Sequence, residues 1–484
     1  MEPANSHVDV VIVGAGLSGI AAAVELRTTH PERTFVMLEK RDNLGGTWDL
    51  FRYPGIRSDS DMFTLGYSFK PWRAEKTIAA GHTILEYLDE AVEEHHLRPL
   101  IRVNHRVLRA DWSSETSTWT VQVGSPAGYD TITCSFLYMA SGYYDNENGY
   151  RPRFPGEENF EGPIVHPQEW PEDLDYRDKN VAVIGSGATA ITLIPAMAGT
   201  ATKVTMVQRS PSYVAIDSDV DEDAIKLRAE IGDEAAFDMV RLRNLEQQQI
   251  NYQFARNHPD EFKKPLFDAI DAIVGSEFRE KHFTPSYDPW DQRLCLVPNG
   301  DLFEAIKAGQ ADVATGTIAE FTEHGIRMES GEMVEADIIV TATGLNLCTL
   351  GKVEFTVDGH PVDFGTTYTY KGVAFSGVPN LVQAHGYLNS SWTLRLELVN
   401  QFWSALLTTM DKLGAKSVTP VLRPGEENMP RDPWMTGVTS GYFQRYLDHM
   451  PSQGDRLPWL NPQVHELTKE ILGADPDDGV LQFD

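Results

Sequence analysis

Val8-Asp9-Val10-Val11-Ile12-Val13-Gly14-Ala15-Gly16-Leu17-Ser18-Gly19-Ile20 decides the fold. Val8 to Val13 is an apolar, β-branched run, the pattern of a strand buried on both faces. Three glycines spaced Gly14, Gly16 and Gly19 follow, and the helix-forming stretch Ile20 to Arg27 comes next. In a strand-turn-helix context the first glycine permits the tight turn and the second lets backbone approach a pyrophosphate. The third lets helix and strand pack closely, while the helix N-terminus attracts phosphate charge. A second strand, Thr34 to Leu38, ends at Glu39, placed to accept hydrogen bonds from a ribose diol.

Working outward, the same design returns near Asn180. Val181 to Ile184 reads as a strand, Gly185-Ser186-Gly187-Ala188-Thr189-Ala190 as the turn, Ile191 to Ala198 as the helix and Val204 to Val207 as the next strand. Its second strand ends in Gln208-Arg209-Ser210 rather than in an acid. A guanidinium and a hydroxyl without a carboxylate suit a ribose 2′-phosphate, so this turn reads as an NADPH site rather than an NADH site. The expected fold class is therefore α/β, with two Rossmann-like dinucleotide-binding domains.

Bulk properties set the surroundings. The 484 residues suffice for two to four domains, and 41 basic against 71 acidic residues give a formal charge of −30. Such a surface repels nucleic acid and anionic membrane. Cys134, Cys295 and Cys348 are scattered without CxxC spacing, which argues against a disulfide framework and a redox dithiol, and no metal site is expected. Met1 to Asp9 lacks the basic start of a secretory signal, and the apolar stretch Val10 to Val24 is too short to span a bilayer. The expectation is a soluble, cytoplasmic protein.

The domain expectation divides the chain into a first dinucleotide domain at 1–145, a Pro-, Gly- and aromatic-rich linker at 146–180, a second dinucleotide domain at 181–335, and a return to the first domain with a C-terminal segment at 336–484. Residues 220–282, rich in Ala, Glu, Arg and Leu, read as a helical insertion in the second domain. Beyond about residue 413 the chain is Pro- and Asp-rich and gives little periodicity.

The first turn alone does not separate FAD from NAD. The following Arg41-Asp42-Asn43-Leu44-Gly45-Gly46-Thr47-Trp48 resembles the Gly-Gly-x-Trp loop of flavoprotein monooxygenases. Between the two turns, Phe160-x-Gly162-x-x-x-His166-x-x-x-Trp170-Pro171 resembles the fingerprint of Baeyer–Villiger monooxygenases at every fixed position. His166 and Trp170 read as residues that lock a domain linker. Over its length, from Val8 to about Trp434, the chain is similar to class B flavoprotein monooxygenases, and the runs Gly45 to Trp72, His166 to Tyr176 and Asp288 to Phe303 resemble the ethionamide-activating subgroup.

The resemblance implies FAD bound by Gly14, Gly16, Ser18, Gly19, Glu39, Gly46, Thr47, Trp48, Asp49, Asp59 and Val107. It implies NADPH bound by Arg57, Ser58, Gly185, Ser186, Gly187, Ala188, Thr189, Ala190, Arg209 and Ser210. Arg293, in Tyr287-Asp288-Pro289-Trp290-Asp291-Gln292-Arg293-Leu294, falls on the family's active-site arginine, and Asp59 on the carboxylate that holds it. In that chemistry a permanent positive charge stabilises an anionic C4a-peroxyflavin and the tetrahedral adduct it forms with a carbonyl. Gln292 stands where many members have a lysine that assists 2′-phosphate binding, which weakens a strict NADPH preference. Asp337 to Gly344 resembles the Ala-Thr-Gly strand of two-dinucleotide flavoproteins. Gly386 to Trp392 precedes a helix whose N-terminus, capped by Ser or Asn, would face the flavin.

The expected activity is an FAD-, NADPH- and O2-dependent conversion of ketones to esters or lactones, with oxidation of sulfides or thioamides alongside. Two alternatives stay open: a monooxygenase acting mainly on sulfur or nitrogen, and a non-oxygenating pyridine-nucleotide reductase. The expected partners are a small ketone or thioether and O2, without nucleic acid or integral membrane association.

Overall fold

The computed structural model describes residues 6–292, 294–436 and 441–484. The strand Ser6–Val13 lies at the centre of the larger sheet, parallel to Phe35–Leu38 on one side and Gly128–Met139 on the other. Val10, Val11 and Ile12 have no exposed surface, which is why this strand is apolar on both faces instead of alternating. Among the described residues the sheet has nine strands. The antiparallel strands Arg106–Ser113 and Thr118–Ser125 extend it beyond Gly128–Met139, and Glu354–Val357, His360–Pro361 and Leu381–Gln383 join it from far along the chain.

The smaller sheet is parallel throughout, in the order 311–315, 203–208, 180–184, 338–341, 164–165. It corrects two expectations. Ile338–Thr341 pairs with Asn180–Ile184 and does not return the chain to the first sheet, so the expected boundary at 335/336 runs through this sheet. The reason is burial: all four residues of that strand are buried, a requirement met between two neighbouring strands and not at a domain boundary. Ile164–Val165, inside the expected linker, forms the edge of the same sheet. The run from 312 to 340 builds part of the outer strand of this sheet and the antiparallel strands Ile318–Thr322, Gly325–Met328 and Met333–Glu335.

The insertion consists of helices Glu222–Ile231, Asp233–Asn257, Pro259–Val274 and Ser276–His282. The helix Trp392–Leu413 packs on Leu17–Thr29 and on His465–Gly473, burying twelve side chains that include Trp403, which stacks obliquely on Tyr138 at 4.6 Å. Each large apolar side chain so buried contributes about 1.5–3 kcal/mol. Near its end the chain adds Val418–Pro420 antiparallel to Leu481–Phe483, elements that the sequence does not announce. Among the described residues no helix is long and apolar enough to cross a membrane.

Candidate active site

One cavity runs between the two glycine turns. From the first turn and its neighbours it is lined by Gly14, Gly16, Ser18, Glu39, Gly46, Thr47, Trp48 and Val107, and from the second by Ala188, Thr189, Ile191 and Thr192. The segment carrying Tyr53, Arg57, Ser58, Asp59 and Ser60 lies along it, as do Ala140 to Tyr143, Lys352, Tyr387, Ser390 and Trp392.

The first turn is held by its own backbone. Gly14 has φ +107°, and a side chain there would sit 2.5 Å from the Ala140 carbonyl oxygen. The Gly45 N–H donates to the Ala15 carbonyl at 3.0 Å, which brings the Gly45-Gly46 loop against Gly16. Glu39 is buried, and its carboxylate accepts the Ala15 N–H and the Arg41 N–H, each at 2.9 Å. Each carboxylate oxygen keeps a further lone pair, and among the described residues no Lys or Arg side chain forms an ion pair with Glu39. An unpaired buried carboxylate on a cavity wall suits a ribose diol. The Ser390 hydroxyl on the same wall also has no hydrogen-bond partner among the described residues. These features fit a flavin dinucleotide.

Tyr53 connects the halves. Burial pushes its phenol up to about 12, against the opposing pull of the Thr189 side chain on the second turn. It therefore stays a neutral O–H donor at the junction. Its neighbours Arg52 and Pro54 give no local signal for that place. Lys352 was missed as well; it lines the cavity with φ +63° and pairs with Asp145 at 2.7 Å. Trp392 donates its indole N–H to the Ser18 hydroxyl at 3.0 Å, joining the long C-terminal helix to the first turn.

Several expected site residues lie elsewhere. Asp49 does not line the cavity; its buried carboxylate takes Arg41 at 2.8 Å and Arg52 at 2.9 Å, because two guanidiniums flank it in the loop. Gly19 sits beneath the turn, where a side chain would meet the Gly14 carbonyl oxygen at 2.0 Å, so its place is one of packing. Arg57 reaches the wall, but its guanidinium is engaged by Asp301 at 2.5 Å. The Ser58 hydroxyl is taken by the Ala79 N–H at 3.0 Å. Gly185, Ser186, Gly187, Ala190, Arg209 and Ser210 lie beyond the cavity wall on the second turn and its strand end. Gly187 faces open space, with nothing within 4 Å of where its side chain would begin, and Arg209 and Ser210 are exposed. Asp59 is on the wall, within 3.5 Å of the Ser60 hydroxyl. Arg293 lies outside the described residues.

The linker residues are away from the cavity. His166 accepts the Gln168 N–H at Nδ1 (3.2 Å) and donates from Nε2 to the Gly344 carbonyl at 3.1 Å, which fixes a neutral tautomer. Burial lowers its pKa. Phe160 packs behind the smaller sheet with Ala182, Val207 and Phe321, while Trp170, partly buried, packs against the separate apolar cluster that includes Val183, Met206 and Val340. A side chain on Gly162 would meet the Asp337 carbonyl oxygen at 2.1 Å. Pro171 follows Trp170, partly buried. The Ser391 hydroxyl does not cap its own helix; it meets the Thr64 hydroxyl at 2.6 Å.

Comparison with known proteins adds three findings. Residues 11–234 match the family described as pyridine nucleotide-disulphide oxidoreductase. The three cysteines of this chain are buried and none forms a disulfide, so no disulfide underlies that likeness. The FAD-containing monooxygenase EthA of Mycobacterium tuberculosis (strain ATCC 25618 / H37Rv) is 48% identical, covering 99% of this chain and 98% of its own. The probable FAD-binding monooxygenase AlmA of Acinetobacter baylyi (strain ATCC 33305 / BD413 / ADP1) is 44% identical over 99% of this chain and 96% of its own. Among solved structures, an oxidized steroid monooxygenase bound to NADP shares the fold, with TM-score 0.79, 24% identity and 99% of each chain covered.

Proposed function

This chain belongs to the class B flavoprotein monooxygenases, among the EthA-type FAD-containing members, and from that premise we propose that it oxidises ketones to esters or lactones, and sulfides or thioamides alongside, at the expense of NADPH and O2. The observation that carries the reading is a cavity walled by residues of both glycine turns, so that two dinucleotides held by those turns would meet in it. When bound, the flavin supplies hydride acceptance and oxygen activation.

The chain's own residues do the rest. Glu39 orients the flavin-side ribose, and the Gly45-Gly46 loop and Trp48 bound the ring side of the cavity. The exposed Arg209 and Ser210 receive the 2′-phosphate of NADPH, and Gly187 leaves room for its pyrophosphate. Tyr53 would offer a neutral O–H on the cavity wall beside the second turn. Asp59 positions Arg293, whose fixed charge stabilises negative charge developing on a carbonyl oxygen. Support for the ketone reading comes from the linker pattern Phe160 to Pro171 together with Asp59 on the cavity wall.

The test is anaerobic mixing with NADPH, then labelled oxygen, followed by product analysis on a cyclic ketone and a thioether. Labelled lactone is the expected product. Sulfoxide without lactone would restrict the protein to heteroatoms, and hydrogen peroxide alone would remove oxygenation altogether. Arg293→Ala should abolish lactone formation and leave flavin reduction by NADPH within about twofold. Lactone formation surviving in that variant would take the arginine out of its role.

A further inference from the structure

The helix Asp233–Asn257 lays a polar face, Arg241, Asn244 and Gln248 at helical spacing, onto the flavin side of the molecule. We infer that Gln248 is a positioning residue for oxygenation, its amide setting the relative placement of the two chain segments, 59–61 and 390–392, that wall the flavin cavity. The inference rests on the proposed function and concerns the coupling of electrons to oxygen transfer.

Gln248 does not itself line the cavity. Its Oε1 accepts the Ser391 N–H at 3.3 Å, and its Nε2 donates to Asp61 Oδ2 at 3.2 Å and to the Thr64 hydroxyl at 3.0 Å. Ser391 lies between the cavity residues Ser390 and Trp392 and begins the helix Trp392–Leu413, yet its hydroxyl is turned to Thr64. The N-terminus of that helix is thus located by Gln248 and Thr64 in place of its own cap. Asp61 follows the cavity residues Asp59 and Ser60 and caps the short helix Met62–Leu65. Asn244 donates to the other oxygen of the same carboxylate at 3.0 Å. Arg241 anchors the assembly by donating to the Phe63 and Gly66 carbonyls, at 2.5 and 2.8 Å, and to Glu397 at 2.7 Å.

An amide is required because the position needs a donor toward Asp61 and an acceptor toward Ser391 at once. Glutamate lacks the donor and would set a second carboxylate beside Asp61. Methionine fills the same length and offers neither function. Reacting groups displaced by a fraction of an ångström lose oxygen transfer before they lose hydride transfer from a separately held nicotinamide.

The experiment compares the flavin-loaded parent with Gln248→Met, Gln248→Glu and, as a control, Gln247→Met, whose exposed amide bonds Asn251 on the same helix. Three quantities are read: anaerobic flavin reduction by NADPH, Tm, and product formed against hydrogen peroxide released with thioanisole and cyclohexanone. Both Gln248 variants should keep reduction within about twofold while product per NADPH falls about tenfold and peroxide rises to match. The control should match the parent. Parent-like coupling in Gln248→Met overturns the inference, as does a proportional fall of reduction and oxygenation with a lowered Tm, which marks a merely structural role. A parent that NADPH does not reduce overturns the proposed function, and this inference with it.

Discussion

The turns at Gly14 and Gly185 share a backbone scheme and differ at one side chain. In each, the glycine N–H donates to a carbonyl at the end of the neighbouring strand, Leu38 at 2.8 Å and Val207 at 2.9 Å. Val13 pairs with Leu38 and Ile184 with Val207, so Glu39 and Gln208 occupy equivalent places. Glu39 turns its carboxylate into the turn, onto the Ala15 N–H. Gln208 turns away, donating to the His282 carbonyl at 2.7 Å and the Thr315 hydroxyl at 2.9 Å. One scaffold thus carries a carboxylate turned into the turn in one unit and a neutral amide turned away in the other, where the exposed Arg209 follows.

The sharpest way to break the comparison is to add one methyl group where the first turn is closed and one where the second is open. Gly185, the counterpart of Gly14, is itself closed by the Ala342 carbonyl oxygen, 2.3 Å from where its side chain would begin. Gly14→Ala forces a left-handed residue against the Ala140 carbonyl, a conformational cost of about 1–3 kcal/mol before the 2.5 Å contact is relieved. The expected result is protein purified without flavin colour, with Tm lowered by several degrees. Gly187→Ala meets nothing in the fold, so Tm should hold within about 2 °C while KM for NADPH rises about tenfold or more. Equal loss of stability in both variants would show that the second turn is not free to receive a ligand.

A smaller effect tests the charge difference. Arg209→Ala should raise KM for NADPH by about tenfold or more, the value of one charge-assisted contact, and change KM for NADH by less than twofold. Equal shifts for both cofactors would dissolve the distinction drawn from Gln208.

The smallest effect concerns the group on which Gln208 leans. Burial, with Lys281 adding to it, pushes the His282 imidazole down to about 4. An unfolded histidine takes its proton near 6.5, whereas the native one does not until about 4. The native state is therefore favoured above pH 6.5 and loses part of that advantage as pH falls through this window. Tm measured from pH 7 to 4.5 should fall less steeply in His282→Asn than in the parent. Parallel slopes would remove His282 as the cause.

Much of this was legible because it rests on short-range pattern. Val10 to Val13 announces a strand buried on both sides, and the glycine spacing announces what must pass close to it. The helical insertion was legible in composition, but not the face it uses. Arg241 is buried, and nothing local separates it from the exposed Arg243 two residues on. Asp49 misled because an acid near a flavin loop reads as a ligand, while the two arginines that claim it are recognisable only in space. The strand Ile338–Thr341 misled for the opposite reason: its apolar run states that it is buried but not in which sheet. Long-range pairing carries little local signature.

The nesting of the two sheets has a consequence for how the protein is made. Every strand of the smaller sheet comes from one uninterrupted stretch, 164–341, whereas the larger sheet draws on 6–139 and then waits for 354–383. A chain leaving the ribosome can thus close its nicotinamide half while the flavin half still lacks outer strands and the helix Trp392–Leu413 whose indole reaches Ser18. The flavin-side wall, where Trp392 meets Ser18, is thus completed only after the middle of the chain has been made.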